Sequence, residues 1–154
     1  MDEVSELEKL RSFSPLRRCL LAKAGTLLEA LSALFGTPVT VDVVSQDEIS
    51  EGIERCVNLV CSAGELVVCR AVTHAQVTNP EIRRLMLERE VGLGQITAMV
   101  GAAPSFALDE VGQADDAFWR MYRLSGDGFL FRIHEMFPNP PFERLERQIA
   151  GTEE

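Results

Sequence analysis

Four β-rich runs, arranged as two pairs around short polar turns, constrain this chain more than any other feature. "GIERCVNLVC" (52–61) and "LVVCRAVTHA" (66–75) flank "SAGE", and segments near 115–125 and 128–137 flank "SGDG". Runs joined this closely pair antiparallel, since parallel neighbours need a crossover of about a dozen residues or more. A valine-rich run at 39–45 adds a strand. Helical spacing of Leu16, Cys19, Leu20, Ala24, Leu27, Leu28, Leu31 and Phe35 predicts one helix over 16–35, opened by Ser14-Pro15 and stopped by Gly36 and Pro38. Asn79-Pro80 starts a helix running to about Arg89; 91–100 reads as a loop and a helical turn or two; 101–113 reads as a loop. "PPFERLERQI" closes the chain as a short amphipathic helix. The expectation is an α+β fold: a single antiparallel sheet of about six strands with helices packed against it, in one domain over 1–154.

Alternation then exposes three misplaced charges. In "FLFRIHEMFP", Phe129, Phe131, Ile133, Glu135 and Phe137 share a face. Ile53, Arg55, Val57, Leu59 and Cys61 share one in the first hairpin, and Leu66, Val68, Arg70 and Val72 share one in its partner strand. Glu135, Arg55 and Arg70 are thereby expected on inward faces, where an unpaired charge is costly. A structural salt bridge across the sheet, or a slipped register that leaves one face wet, would explain them without a ligand. A surplus of arginine over carboxylate would instead suit a pocket for a small cyclic carboxylate, held by the planar guanidinium fork among apolar walls.

Other features carry less. A net charge of −9 argues against sequence-independent nucleic-acid binding and against an anionic membrane surface. No apolar run reaches the ~18 residues a membrane span needs, and "MDEVSELEKL" lacks a signal-peptide core, so a cytoplasmic protein is expected. Cys19, Cys56, Cys61 and Cys69 lack metal-ligand spacing and read as small buried hydrophobes. His134 falls opposite Glu135, His74 has no evident partner, and "GLGQIT" lacks the full phosphate-loop pattern. Phe118, Trp119 and Tyr122 read as core residues.

The ordered set of motifs resembles the chorismate lyase family, in its short actinobacterial and cyanobacterial branch. "LRRCLLAKAGTLLEAL" is similar to that branch's N-terminal helix, and "RCVNL" to the family's Arg-x-Val/Ile-x-Leu strand. "EVGLGQI" resembles its Pro-Leu-Gly helix start, and "YRLSGDGFLFRIHEMFP" its closing hairpin, which ends in Glu-x-Phe-Leu-Pro. Gly92 stands where the family has proline, and "EMFP" is one residue shorter than the family's ending.

The resemblance implies a sheet with a buried ligand pocket under helical flaps, and conversion of chorismate to 4-hydroxybenzoate and pyruvate without a cofactor. It implies Arg55 as the substrate-carboxylate arginine and Glu135 as the catalytic glutamate. Arg70 matches a second arginine of some members, and Leu93 would offer a backbone group to the ligand. Chorismate or a related cyclic carboxylate is thus the expected partner; the oligomeric state is left open. A non-catalytic effector-binding domain of the same fold, a diverged aromatic-acid enzyme and a purely structural protein are the competing readings.

Overall fold

A computed structural model of the chain describes residues 3–25, 27–62, 65–88 and 91–151. The elements run α1 (Glu3–Leu10), α2 (Pro15–Leu21), α3 (Leu27–Phe35), β1 (Val39–Ile49), β2 (Gly52–Cys61) and β3 (Leu66–Val77). They continue with α4 (Pro80–Glu88), α5 (Leu93–Met99), β4 (Ser105–Gln113), β5 (Ala117–Gly126), β6 (Phe129–Pro138) and α6 (Asn139–Ile149). The six strands make one antiparallel sheet in the order β1-β2-β3-β6-β5-β4, so the molecule is α+β as the hairpin spacing predicts. Part of the "SAGE" turn (residues 63 and 64) and the expected helix end at residue 89 lie outside the described residues.

The sheet has a wet face and a covered one. Outward-facing Val72, Met121 and Met136 are about 40% exposed, whereas inward-facing Ile53, Phe131 and Phe137 are fully buried. Each helix adds buried side chains to that covered face, among them Leu10, Leu21, Leu31, Met86, Ile96 and Phe142. Phe142 of α6 sets its edge against Phe118 and Phe137, with ring centroids 5.1 and 5.7 Å away, where aromatic pairs add to the gain from burial. Arg17 of α2 also ties α6 down, bonding Glu146 and Asn139.

The structure departs from the periodicity in four places. The helix expected over 16–35 is two helices, α2 and α3, because the chain turns away after Leu21. β1 continues to Ile49; its second half is a mostly exposed polar hairpin arm that carries no apolar alternation. The segment read as a loop at 101–113 contains β4, an edge strand whose register shifts between Leu108 and Glu110 and so breaks the period of two. In β3 the register shifts opposite Leu59 and Val60, so Val68 and Cys69 are both fully buried and every later residue changes face. Arg70 is therefore exposed, which corrects its expected inward position. Among the cysteines, Cys19 is exposed and Cys56 is half-buried, unlike Cys61 and Cys69. No described helix is long and apolar enough to cross a membrane.

Candidate functional site

Two neighbouring rows of inward side chains form the floor of a cavity. One row runs Val57, Ala71, Glu135, Arg120 across β2, β3, β6 and β5; the next runs Arg55, Thr73, Ile133, Tyr122. The β3 members, Ala71 and Thr73, are small, and between larger neighbours they leave a hollow of about 230 Å³. Leu28 of α3 and Val41 of β1 supply apolar walls, and the start of α5 closes the space with Leu93 and Gln95. Ala24 and Gly25, in the α2–α3 connection, wall it as well.

Arg55 and Glu135 both line this cavity and are only 2% and 5% exposed. They sit two strands apart with β3 between them, a separation of about 10 Å across the ladder at ordinary strand spacing. Leu93 is a wall residue at the first position of α5. Gly92 before it has φ −69°, the value a proline would impose, so this backbone needs no glycine-specific angle. Its N–H donates to Gln95 Oε1 at 2.8 Å, a bond proline could not make. Arg70 does not line the cavity.

The partner of Glu135 is a residue that the periodicity argument passed over. Arg120 of β5 lies directly opposite, 1% exposed, and its Nε donates to Glu135 Oε1 at 2.7 Å. Its Nη1 donates to the backbone carbonyls of Leu20, Leu21 and Lys23 at 3.2, 3.0 and 2.7 Å. The hydroxyl of Tyr122 donates to Glu135 Oε2 at 2.8 Å, so each carboxylate oxygen holds a donor. The Arg120 guanidinium also lies over the Tyr122 ring, 4.2 Å from its centroid. The signal was present in the sequence: Phe118, Arg120, Tyr122 and Leu124 alternate just as the residues around Arg55 do.

Charge and burial oppose each other here. Burial works against the Arg120 cation, but the charge of Glu135, its hydrogen bond, and the neighbouring Tyr122 and Cys69 together outweigh it and hold the guanidinium above its usual value. Burial, then the negative charge of Glu135, pushes the Tyr122 phenol well above its ordinary range, so the hydroxyl stays a donor. Burial likewise raises the Cys69 thiol strongly, with Glu135 as the second cause. The outcome is a largely apolar chamber with two guanidinium groups, a carboxylate, a phenol and the Thr73 hydroxyl on its floor. Such a chamber can orient a small anionic ring and handle a proton.

His134 lies on the outer face as expected, edge-on to Trp119 with ring centroids 5.7 Å apart. His74, which is exposed where His134 is half-buried, does have a partner: its Nε2 is 3.4 Å from Glu54 Oε2.

No protein-family model matches the chain, and no curated protein is similar to it at a significant level.

Proposed function

We propose that this chain is a chorismate lyase-like enzyme, converting chorismate to 4-hydroxybenzoate and pyruvate in the chamber above β2, β3, β6 and β5. One observation supports this reading best: Arg55 and Glu135, singled out on separate strands, open into the same apolar cavity. In this reading Arg55 holds the ring carboxylate through its planar fork. Glu135 faces the far end of the ring, where the hydroxyl-bearing carbon gives up its proton as the enolpyruvyl C–O bond breaks. The proton and the departing enolpyruvate make pyruvate, and the ring becomes aromatic, so atoms balance without a redox partner. Binding and orientation supply most of what the protein must add. Leu93 presents backbone at the rim. Arg120, in place of the exposed Arg70, supplies the second guanidinium and holds Glu135 in position.

The test is incubation of purified protein with chorismate, following 4-hydroxybenzoate absorbance and pyruvate. Both products should form, and Arg55→Ala should weaken 4-hydroxybenzoate binding by about tenfold or more. Absence of both products in the wild type would sink the lyase reading.

A second reading has its own support. Both oxygens of Glu135 already hold donors, as suits a carboxylate that shapes a pocket rather than one that reacts. A non-catalytic domain binding a small aromatic acid would be stabilised by 4-hydroxybenzoate yet leave chorismate intact.

A further inference from the structure

The geometry points to Arg120 as a strut that makes the Glu135 carboxylate and the cavity wall at residues 20–25 a single mechanical unit. Ala24 and Gly25 line the cavity, and residues 20–23, the end of α2 and the start of the turn after it, carry them there. A helix leaves its last carbonyls without intrahelical partners, and a cation placed there satisfies them. Here the cation comes from β5, about a hundred residues on: Nη1 of Arg120 takes the carbonyls of Leu20, Leu21 and Lys23. In a continuous helix the same oxygens would accept from residues 24, 25 and 27. The Leu20 carbonyl also accepts the Lys23 N–H at 3.1 Å, so the arginine stands in chiefly at Leu21 and Lys23; there it holds the break open, and the chain passes through Ala24 and Gly25 along the cavity before α3 begins.

The other end of the same guanidinium is committed to Glu135. The remaining described ionisable groups around that carboxylate are Tyr122, on the same strand as Arg120, Cys69 on β3, and Arg55 and Glu29 elsewhere on the cavity lining. Glu29 belongs to α3, on the far side of the break. Among the bonds of the described residues, those of Arg120 run from the carboxylate to the backbone of 20–23. If the negative charge at position 135 is removed, a guanidinium 1% exposed loses its counter-charge. Water is its cheapest relief, and the 20–25 segment is the cover whose backbone the guanidinium itself holds. A change at Glu135 thus opens the wall. A ligand that draws on the carboxylate acts on the same strut, so capture at Glu135 and the seating of the wall are one event.

Backbone hydrogen exchange, resolved by peptide, separates this from a merely structural pair. Glu135→Gln keeps the shape and removes the charge, and it should speed exchange in a peptide covering 20–28 by about tenfold or more, with the β1–β2 hairpin near its wild-type rate. Arg120→Lys, whose single ammonium cannot serve the carboxylate and three carbonyls together, should do the same. Wild-type rates at 20–28 in Glu135→Gln, or equal acceleration of 20–28 and the β1–β2 hairpin, would overturn the strut. A second arm rests on the proposed function: 4-hydroxybenzoate should slow exchange at 20–28 in the wild type and not in Glu135→Gln. A wild type that binds no 4-hydroxybenzoate by calorimetry would count against that function, while the unliganded comparison still decides the strut.

Discussion

Arg120 and Glu135 face each other across β5 and β6, with Nε 2.7 Å from Oε1 and both residues almost wholly out of water. A pair placed like this is costly to break and cheap to replace, because the penalty lies in leaving one charge behind. Arg120→Met and Glu135→Leu should each destabilise the protein by about 3–5 kcal/mol, and the double variant should lose at least about 2 kcal/mol less than their sum. Urea unfolding of the four proteins near neutral pH measures it; additive losses would mean that the two groups do not sense each other.

Alkali should weaken the fold in a way that Tyr122 controls. Its phenol is held protonated in the native state by burial and then by Glu135. In the unfolded chain it loses its proton near pH 10, at about its ordinary value. Above that pH the unfolded state binds fewer protons than the native one, so stability falls as pH rises toward the raised native value. Cys69, buried and raised in the same sense, should start the decline earlier, near about pH 8.5. Tyr122→Phe should flatten the upper part of the curve and Cys69→Ala the lower part. Denaturation midpoints between about pH 8 and pH 11 show this; slopes parallel to the wild type would contradict it.

Ala71 should decide whether ligand and cavity belong together. It sits on the floor between Val57 and Glu135, where its small side chain leaves the space open. Ala71→Leu puts apolar volume into the hollow, so folding stability should hold or rise by about 1 kcal/mol. The thermal shift produced by 4-hydroxybenzoate should disappear. A shift that survives the substitution would place the ligand elsewhere.

Gly52 should tolerate no side chain. It opens β2 with φ 145°, and a Cβ there would run into the carbonyl of Ala75 on β3. Both the conformation and the clash are in the backbone, so neither relaxes by rotating a side chain. Gly52→Ala should cost about 2 kcal/mol or more, measured as a lowered thermal midpoint.

Much of the fold was legible because its signals are local. The turn residues between paired runs determined an antiparallel sheet, and an unbroken period of two put Arg55 and Glu135 on the covered face. The same period misled at Arg70, because a bulge near Val68 adds a residue that no composition rule marks, and every side chain after it changes sides. β4 escaped for a similar reason, its alternation cut by the shift between Leu108 and Glu110. Arg120 was legible in its alternating run, but its meaning was not.

What the sequence by itself determined is therefore the α+β class, most strands, and two of the charges that line the cavity. Tertiary structure alone decided where the helix expected over 16–35 breaks and what Glu135 pairs with. Both follow from one side chain on β5 reaching carbonyls about a hundred residues earlier. Periodicity registers only neighbours along the chain, and a contact of that span exists only once the sheet has closed.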